Sequence, residues 1–182
     1  AWIVSMLSHC QQPPSYLVGS PLSESNRHSH YSTEDRVVVE ADESDGSFLN
    51  LSPTISVITN IEEEHMSFFK TPQNLLNHFR RFMKQTWNNE GCVIYNADDA
   101  KLHDLAKENL IQSCSFSIKN PSMLQAQSIT HTPNGIQFKV TYQRKESRLI
   151  QLKLFGVHNV YNALSAIATG IQSGLKFEDL LN

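Results

Sequence analysis

Cysteine is scarce: Cys10, Cys92 and Cys114 are the only three in 182 residues. An odd number at no metal-type spacing argues against a disulfide framework and against a structural zinc site. It fits free thiols in a reducing compartment. The chain also lacks a surplus of one charge. A formal net charge of -3, with no long block of one sign, leaves no basic face of the kind that nucleic acid requires. No apolar run approaches the ~20 residues of a membrane-spanning helix. Internal repeats and low-complexity tracts are absent as well. What is present is a 40% hydrophobic composition, enough for a sizeable core in one domain or in one domain with an appendage.

Along the chain, strand and helix signals alternate. Residues 1–10 read as an amphipathic helix and 15–18 (SYLV) as a short strand. Residues 19–35 are polar and turn-rich, so a surface loop. Val37, Val38 and Val39 give a near-continuous apolar strand, of the kind that lies in a parallel sheet covered on both faces. Residues 47–51 suit a helical turn, 55–61 (ISVITNI) a second buried strand, 92–96 (CVIYN) a third and 114–118 a fourth. Between them fall two helices. One spans 71–87, with Thr71 as N-cap and Pro72 at the first helical position; the other spans 98–109. This order argues for a mostly parallel α/β sheet with crossover helices. The pattern then changes. Alternation on either side of Asn134-Gly135, with Ile136, Phe138, Val140 and Tyr142 on one face, signals a hairpin. A further strand over 149–154 completes a small antiparallel meander. Residues 158–174 form a strong helix with Ala163, Leu164, Ile167 and Ile171 as its buried stripe and Gly174 as the stop. The first helix has no capping residue ahead of it and the chain ends on a short helical stretch, 176–182, so the sequence reads as a piece of a longer protein.

The chemistry gathers where strands end. Four carboxylates follow the valine strand within six positions: Glu40, Asp42, Glu43 and Asp45. Asn60 ends the second strand and is followed by Glu62, Glu63, Glu64 and His65; Asn96 ends the third and is followed by Asp98 and Asp99. Ligands of open α/β sheets bind beyond the carboxyl ends of the strands. Carboxylates and an imidazole converging on one rim suit a hard divalent cation. Capping and solvated-surface roles are the plainer reading for Asp42, Glu43 and Asp45. Glu40 and His65 stand out by position, each just past a strand. In the first turn of the last helix, His158, Asn159 and Asn162 are spaced so that 158 and 162 share a face. Asn can donate to and accept from a base edge at once; ordinary capping is the alternative. Arg80, Arg81 and Lys84 read as a solvated helix face. The loop NRHSHYS, 26–32, is better taken as a polar loop near a substrate than as a metal site.

Three motifs in order, EADESDGSFLNLSPTISVITNIEEEHM, VIYNADD and GVHNVYNALSAIATG, resemble the Mur ligase family over nearly the whole chain. The EADESD form with TNI…HM is most similar to the branch that adds L-alanine to UDP-N-acetylmuramic acid. The resemblance implies the central, ATP-binding domain of a bacterial cytoplasmic three-domain enzyme, with the fold of P-loop NTPases, over residues 1–182. The domains on either side would lie outside it. It implies ATP and Mg2+ as cofactors, and UDP-N-acetylmuramic acid and L-alanine as substrates. The reaction would be an ADP-forming ligation through an acyl phosphate. It makes Glu40 and His65 magnesium ligands and catalytic residues. His158, Asn159 and Asn162 would line the adenine pocket, Asn60 would support the metal rim, and Ser25, Asn26 and Arg27 would lie where the sugar nucleotide approaches.

No G-x-x-x-x-G-K-[ST] phosphate loop occurs in these residues, so the chain by itself is expected not to turn over ATP. Two departures from the family pattern stand out. Glu64 takes the place of the usual Asp before the histidine. Arg80 stands near the position where several relatives carry a carbamylated lysine, a modification that arginine cannot bear. Two alternatives stay open at this point: a sibling ligase that adds a peptide or a glutamate, and a nucleotide-binding module without catalysis.

Overall fold

The structure, a computed structural model, describes residues 1–23, 25–108 and 112–181. Its elements in chain order are α1 (Trp2–His9), β1 (Ser15–Leu17), β2 (Ser29–His30), β3 (Val37–Val39), β4 (Ile55–Ile58), α2 (Met66–Phe69), α3 (Pro72–Asn88), β5 (Cys92–Asn96), α4 (Ala100–Lys107), β6 (Ser113–Ser117), β7 (Leu124–Thr132), β8 (Gly135–Tyr142), β9 (Lys145–Leu152) and α5 (Val157–Gln172). Two 3-10 turns, Ser47–Asn50 and Phe177–Leu181, complete it. Residues 109 and 182, at the ends of two of the expected helical stretches, lie outside the described residues.

The main sheet has six strands in the order β4-β5-β6-β7-β8-β9. Pairs from β4 to β7 are parallel, and β7-β8 and β8-β9 are antiparallel. The expected α/β architecture holds. The antiparallel meander is not a separate subsheet, because β7 pairs with β6 on one side and β8 on the other and so carries it as an extension of the parallel part. The hairpin turn falls on Pro133 and Asn134, with Gly135 already paired to Thr132.

Side-chain alternation explains the two-sided core. On β5, Val93 points to the layer formed by α3 and α4, where it meets Leu75, Phe82, Met83 and Leu102. Ile94 points the other way, into a cluster with Phe116, Leu124, Phe138 and the α5 residues Val160, Leu164 and Ala168. Thr71 caps α3 by accepting from the Asn74 N–H at 3.2 Å, with Pro72 following it as the sequence indicates.

The valine strand departs from expectation. It pairs only with β1, in a separate three-stranded sheet ordered β2-β1-β3, and part of the expected 19–35 loop supplies β2. Val38 packs with Val4, Tyr16 and Val18, whereas Val37 and Val39 are 68% and 41% exposed. A strand reads as doubly buried in sequence, but burial depends on what covers each face. Here α1 lies under one face and no helix of the described residues covers the other. The small sheet is joined to the main body by α1, whose Trp2 and Met6 pack against the α5 cluster, and by Arg36. The Arg36 guanidinium donates to the Ser173 carbonyl at 3.0 Å and to the Gln12 side chain.

Gly91, at the entry to β5, has no room for a side chain. A Cβ there would lie 2.4 Å from the Thr54 carbonyl oxygen and 2.8 Å from that of Thr86. Both carbonyls are engaged, accepting from the Cys92 and Gly91 N–H groups at 2.8 and 2.9 Å. Gly91→Ala should therefore force β4, α3 and β5 apart and cost about 1–3 kcal/mol. Urea unfolding checks this; a midpoint indistinguishable from wild type would show that the backbone yields freely there.

Candidate functional site

The site is built at the carboxyl rim of the parallel strands. β4 runs out through Thr59 and Asn60 into Glu62, Glu63, Glu64 and His65, which precedes α2. His65 adopts φ 54 and ψ 34, a left-handed conformation uncommon for a residue with a Cβ. Such strain, on the order of 1 kcal/mol, persists only where the surroundings impose it. One imposition is visible. The His65 carbonyl accepts from the Phe68 and Phe69 N–H groups, and Phe69 is anchored in the core. The neighbouring Phe68 ring lies against Gly46, which has φ 74 and whose added Cβ would sit 2.9 Å from that ring. The glycine thus lets the loop after β3 lie flat on α2.

That contact explains which acid faces the imidazole. His65 Nε2 lies 3.6 Å from Glu43 Oε1, with the two side chains 39% and 41% exposed. Glu43, Glu64 and His65 each offer a ligand atom within 4.8 Å of the others. All three line a cleft of about 270 Å3 together with Asn60 and Glu62, over an apolar floor of Phe48, Leu75, Phe79 and Phe82. Glu43, read from sequence as surface charge, is thus part of the cluster. Glu40 is placed elsewhere: its carboxylate accepts from the Gly19 N–H at 2.7 Å. Asp42 and Asp45 follow the capping reading. They accept from the Ser44 and Ser47 N–H groups at 2.8 and 2.9 Å, and these bonds hold both carboxyls below the ordinary aspartate range.

Asn60 lines the cleft but is occupied within its own loop, donating to Glu62 Oε1 at 2.8 Å. Ser25, Asn26 and Arg27 lie in the connection between β1 and β2, outside the residues lining the cleft. Ser25 Oγ is 3.1 Å from the Tyr16 hydroxyl, and Asn26 closes a turn onto the Leu22 carbonyl. Arg80 is committed to structure: its guanidinium donates to both carboxylate oxygens of Glu108, at 2.7 and 3.0 Å, joining α3 to the end of α4. The bond holds the Glu108 carboxyl below its usual range.

The second half of the rim is the start of α5. Gly156 is its N-cap, no side chain caps it, and the His158 ring lies where a Gly156 Cβ would be. Asn159 does not act as a cap: its amide donates back to the Phe155 carbonyl at 2.8 Å, and Asn162 donates to Asn159 Oδ1 at 3.5 Å. The three residues singled out from sequence therefore lie together on the first turn and a half. This end of α5 is brought to the rim by a contact that the sequence did not reveal. The Tyr161 hydroxyl donates to Asp98 Oδ2 at 2.9 Å, just beyond β5. Burial pushes the Asp98 carboxyl up. The backbone N–H groups of Ile118, Lys119 and Asn120, with the Tyr161 hydroxyl, outweigh this and leave it below the ordinary value. Burial raises the Tyr161 phenol, and its bond to the Asp98 carboxylate raises it further.

Because the folded Asp98 carboxyl titrates below its unfolded value near 4, its contribution to stability is complete above that value. It disappears as pH falls through the folded pKa. The stability gap between wild type and Asp98→Asn should therefore shrink from pH 7 to pH 3; a gap constant over that range, measured by urea unfolding, would contradict it.

Residues 22–170 match the Mur ligase middle domain family. The chain is 32% identical over 176 residues to the UDP-N-acetylmuramate–L-alanine ligase of Aquifex aeolicus, covering 97% of this chain and 38% of that protein. It is 34% identical over 181 residues to the ligase of the same name from Syntrophomonas wolfei, with coverages of 96% and 38%. Among solved structures, the UDP-N-acetylmuramate-alanine ligase of Thermotoga maritima superposes with a TM-score of 0.84 at 22% identity, over 99% of this chain and 40% of that one. A MurF ligase of Thermotoga maritima in complex with ADP gives 0.77 at 15% identity, over 100% and 45%. The chain thus spans less than half the length of each of these relatives.

Proposed function

Since the chain belongs to the Mur ligase family, we propose that it is the ATP-binding central part of a bacterial, cytoplasmic UDP-N-acetylmuramate–L-alanine ligase. The observation that carries the reading is the shared rim. The Glu43–Glu64–His65 cluster and the Asn-bearing start of α5 both lie at the carboxyl ends of the parallel strands, where an open α/β sheet binds its ligand. The Aquifex aeolicus and Syntrophomonas wolfei relatives, at 32% and 34% identity, carry that enzyme name.

In this reading the carboxylate of UDP-N-acetylmuramic acid attacks the γ-phosphate of ATP, ADP leaves, and the amine of L-alanine displaces phosphate from the acyl phosphate. His158, Asn159 and Asn162 bind the adenine. Of the two asparagines Asn162 is the less committed, since its amide reaches Asn159 only at 3.5 Å whereas Asn159 is tied to the Phe155 carbonyl at 2.8 Å. The donor set at the cleft, two carboxylates and an imidazole with converging ligand atoms, fits Mg2+. His65 and Glu40 are the ligands that the family pattern assigns, and Glu43 and Glu64 stand beside His65. Bound there, the ion would neutralise charge on the transferring phosphoryl group. Asn60 steadies the acidic loop through its bond to Glu62.

The experiment is ADP release by the full-length ligase with Mg2+, ATP, UDP-N-acetylmuramic acid and a panel of amino acids and short peptides. Release that depends on L-alanine is expected. Release with a peptide alone would move the protein to a sibling branch, and none with any acceptor would leave a binding module. His65→Ala and Glu40→Ala should each abolish ligation with the fold intact. Near-normal turnover of Glu40→Ala together with loss in Glu43→Ala would pass the metal role to Glu43. Asn162→Ala should raise the KM for ATP with a smaller effect on kcat; an unchanged ATP dependence would remove Asn162 from the adenine site.

A further inference from the structure

Asp98 receives more hydrogen bonds than its local role requires. Its carboxylate accepts from the backbone N–H groups of Ile118 at 2.7 Å, Lys119 at 3.0 and 3.2 Å, and Asn120 at 2.8 Å. Those three N–H groups belong to the turn between β6 and β7, which the half-buried carboxylate holds together. The fourth donor, the Tyr161 hydroxyl at 2.9 Å, comes from 63 residues away on α5. It adds little to that turn. For α5 it is the one side-chain hydrogen bond among the described contacts that ties the start of the helix to the strand rim.

Three features make that tie consequential. First, α5 has no side-chain N-cap, and Gly156 precedes it. The start of the helix therefore lacks the usual device that holds an N-terminal turn. Second, the buried stripe of α5 begins at Val160 and is rich in small residues, including Ala163, Ala166 and Ala168. Packing of that stripe holds the helix from Val160 onward and bears less on the exposed and half-buried residues ahead of it. Third, Tyr161 lies between Asn159 and Asn162, whose amides form a short row ending on the Phe155 carbonyl. A bond to a carboxylate is directional and stronger than a neutral one.

The geometry points to Tyr161 as a positioning residue for nucleotide binding: through Asp98 it sets the orientation in which α5 presents Asn159 and Asn162 to the adenine. This rests on the reading of the α5 start as the adenine site. Tyr161 itself need not touch the nucleotide.

The test is Tyr161→Phe in the full-length ligase, which removes one oxygen and keeps the ring. The KM for ATP should rise about five- to ten-fold. kcat should stay within about two-fold and the KM for L-alanine should not change. Asp98→Asn should raise the ATP KM in the same direction, and the double variant should be no worse than the larger single effect. An ATP KM unchanged in Tyr161→Phe, whatever happens to thermal stability, would reduce the bond to a structural role and overturn the assignment. Should Asp98→Asn fail to fold, Tyr161→Phe decides alone. The outcomes also separate this assignment from the reading beneath it. ATP-dependent wild type with an indifferent Tyr161→Phe sinks only the assignment, whereas a wild-type protein with no ATP dependence sinks both.

Discussion

The seat of α5 on the sheet is the constraint on which the rest of the structure depends. Its residues Val160, Leu164 and Ala168 are fully buried against β5, β6 and β7 and against the strands that extend them. Each buried Val or Leu contributes on the order of 1.5–3 kcal/mol, so that together they outweigh any single polar contact at the rim. The same helix also receives α1, and through α1 the three-stranded sheet is held to the body. Packing therefore decides where α5 lies. It does not decide how the first turn is turned, because burial stops at Val160 and the residues ahead of it are exposed or half-buried. Fine positioning at that end falls to hydrogen bonds, and the Tyr161–Asp98 bond is the one that reaches the strand rim.

The acidic residues divide by what local backbone is available to them. Asp42, Asp45 and Asp99 have short side chains and N–H groups within reach two or three residues on, so they close turns or cap α4. Asp98 reaches across to the next strand's exit and becomes a junction. Glu43, one methylene longer than the aspartates beside it, reaches out of its own loop to His65, where Glu64 also lies. The strained backbone of His65 and the glycine turn beneath Phe68 bring two loops, from β3 and β4, to the same place.

Much of this was legible in the sequence because it is local. Period-two and helical spacing gave the order of strands and helices. Thr71-Pro72 marked the start of α3, and the position of His65 and of the Asn residues past strand ends marked the rim. The rest depends on contacts between distant residues. Three valines in a row look the same whether or not a helix covers both faces, and only the pairing of β3 with β1 alone leaves Val37 and Val39 open. Glu43 and Glu40 cannot be ranked from spacing, because which of them faces His65 depends on how the loop folds onto α2. Tyr161 reads as a helix residue between two asparagines, and nothing in the chain signals its partner 63 positions earlier.

An acidic lip is at first sight a poor place for a nucleotide. Glu43, Glu62 and Glu64 line the cleft, so an anion entering it meets three carboxylates of its own sign. The amides at the start of α5 are neutral and do not offset that charge. A divalent cation would, on the proposed reading, lie between these carboxylates and the phosphates and offset the charge of both. On the proposed reading, then, the clustered glutamates make nucleotide affinity conditional on the divalent ion, while α5 determines which base is held. The two functions occupy one rim but use different physics: charge neutralisation, long-ranged and tolerant of small displacements, on the β4 side, and short directional hydrogen bonds, sensitive to the rotation of a helix, on the α5 side.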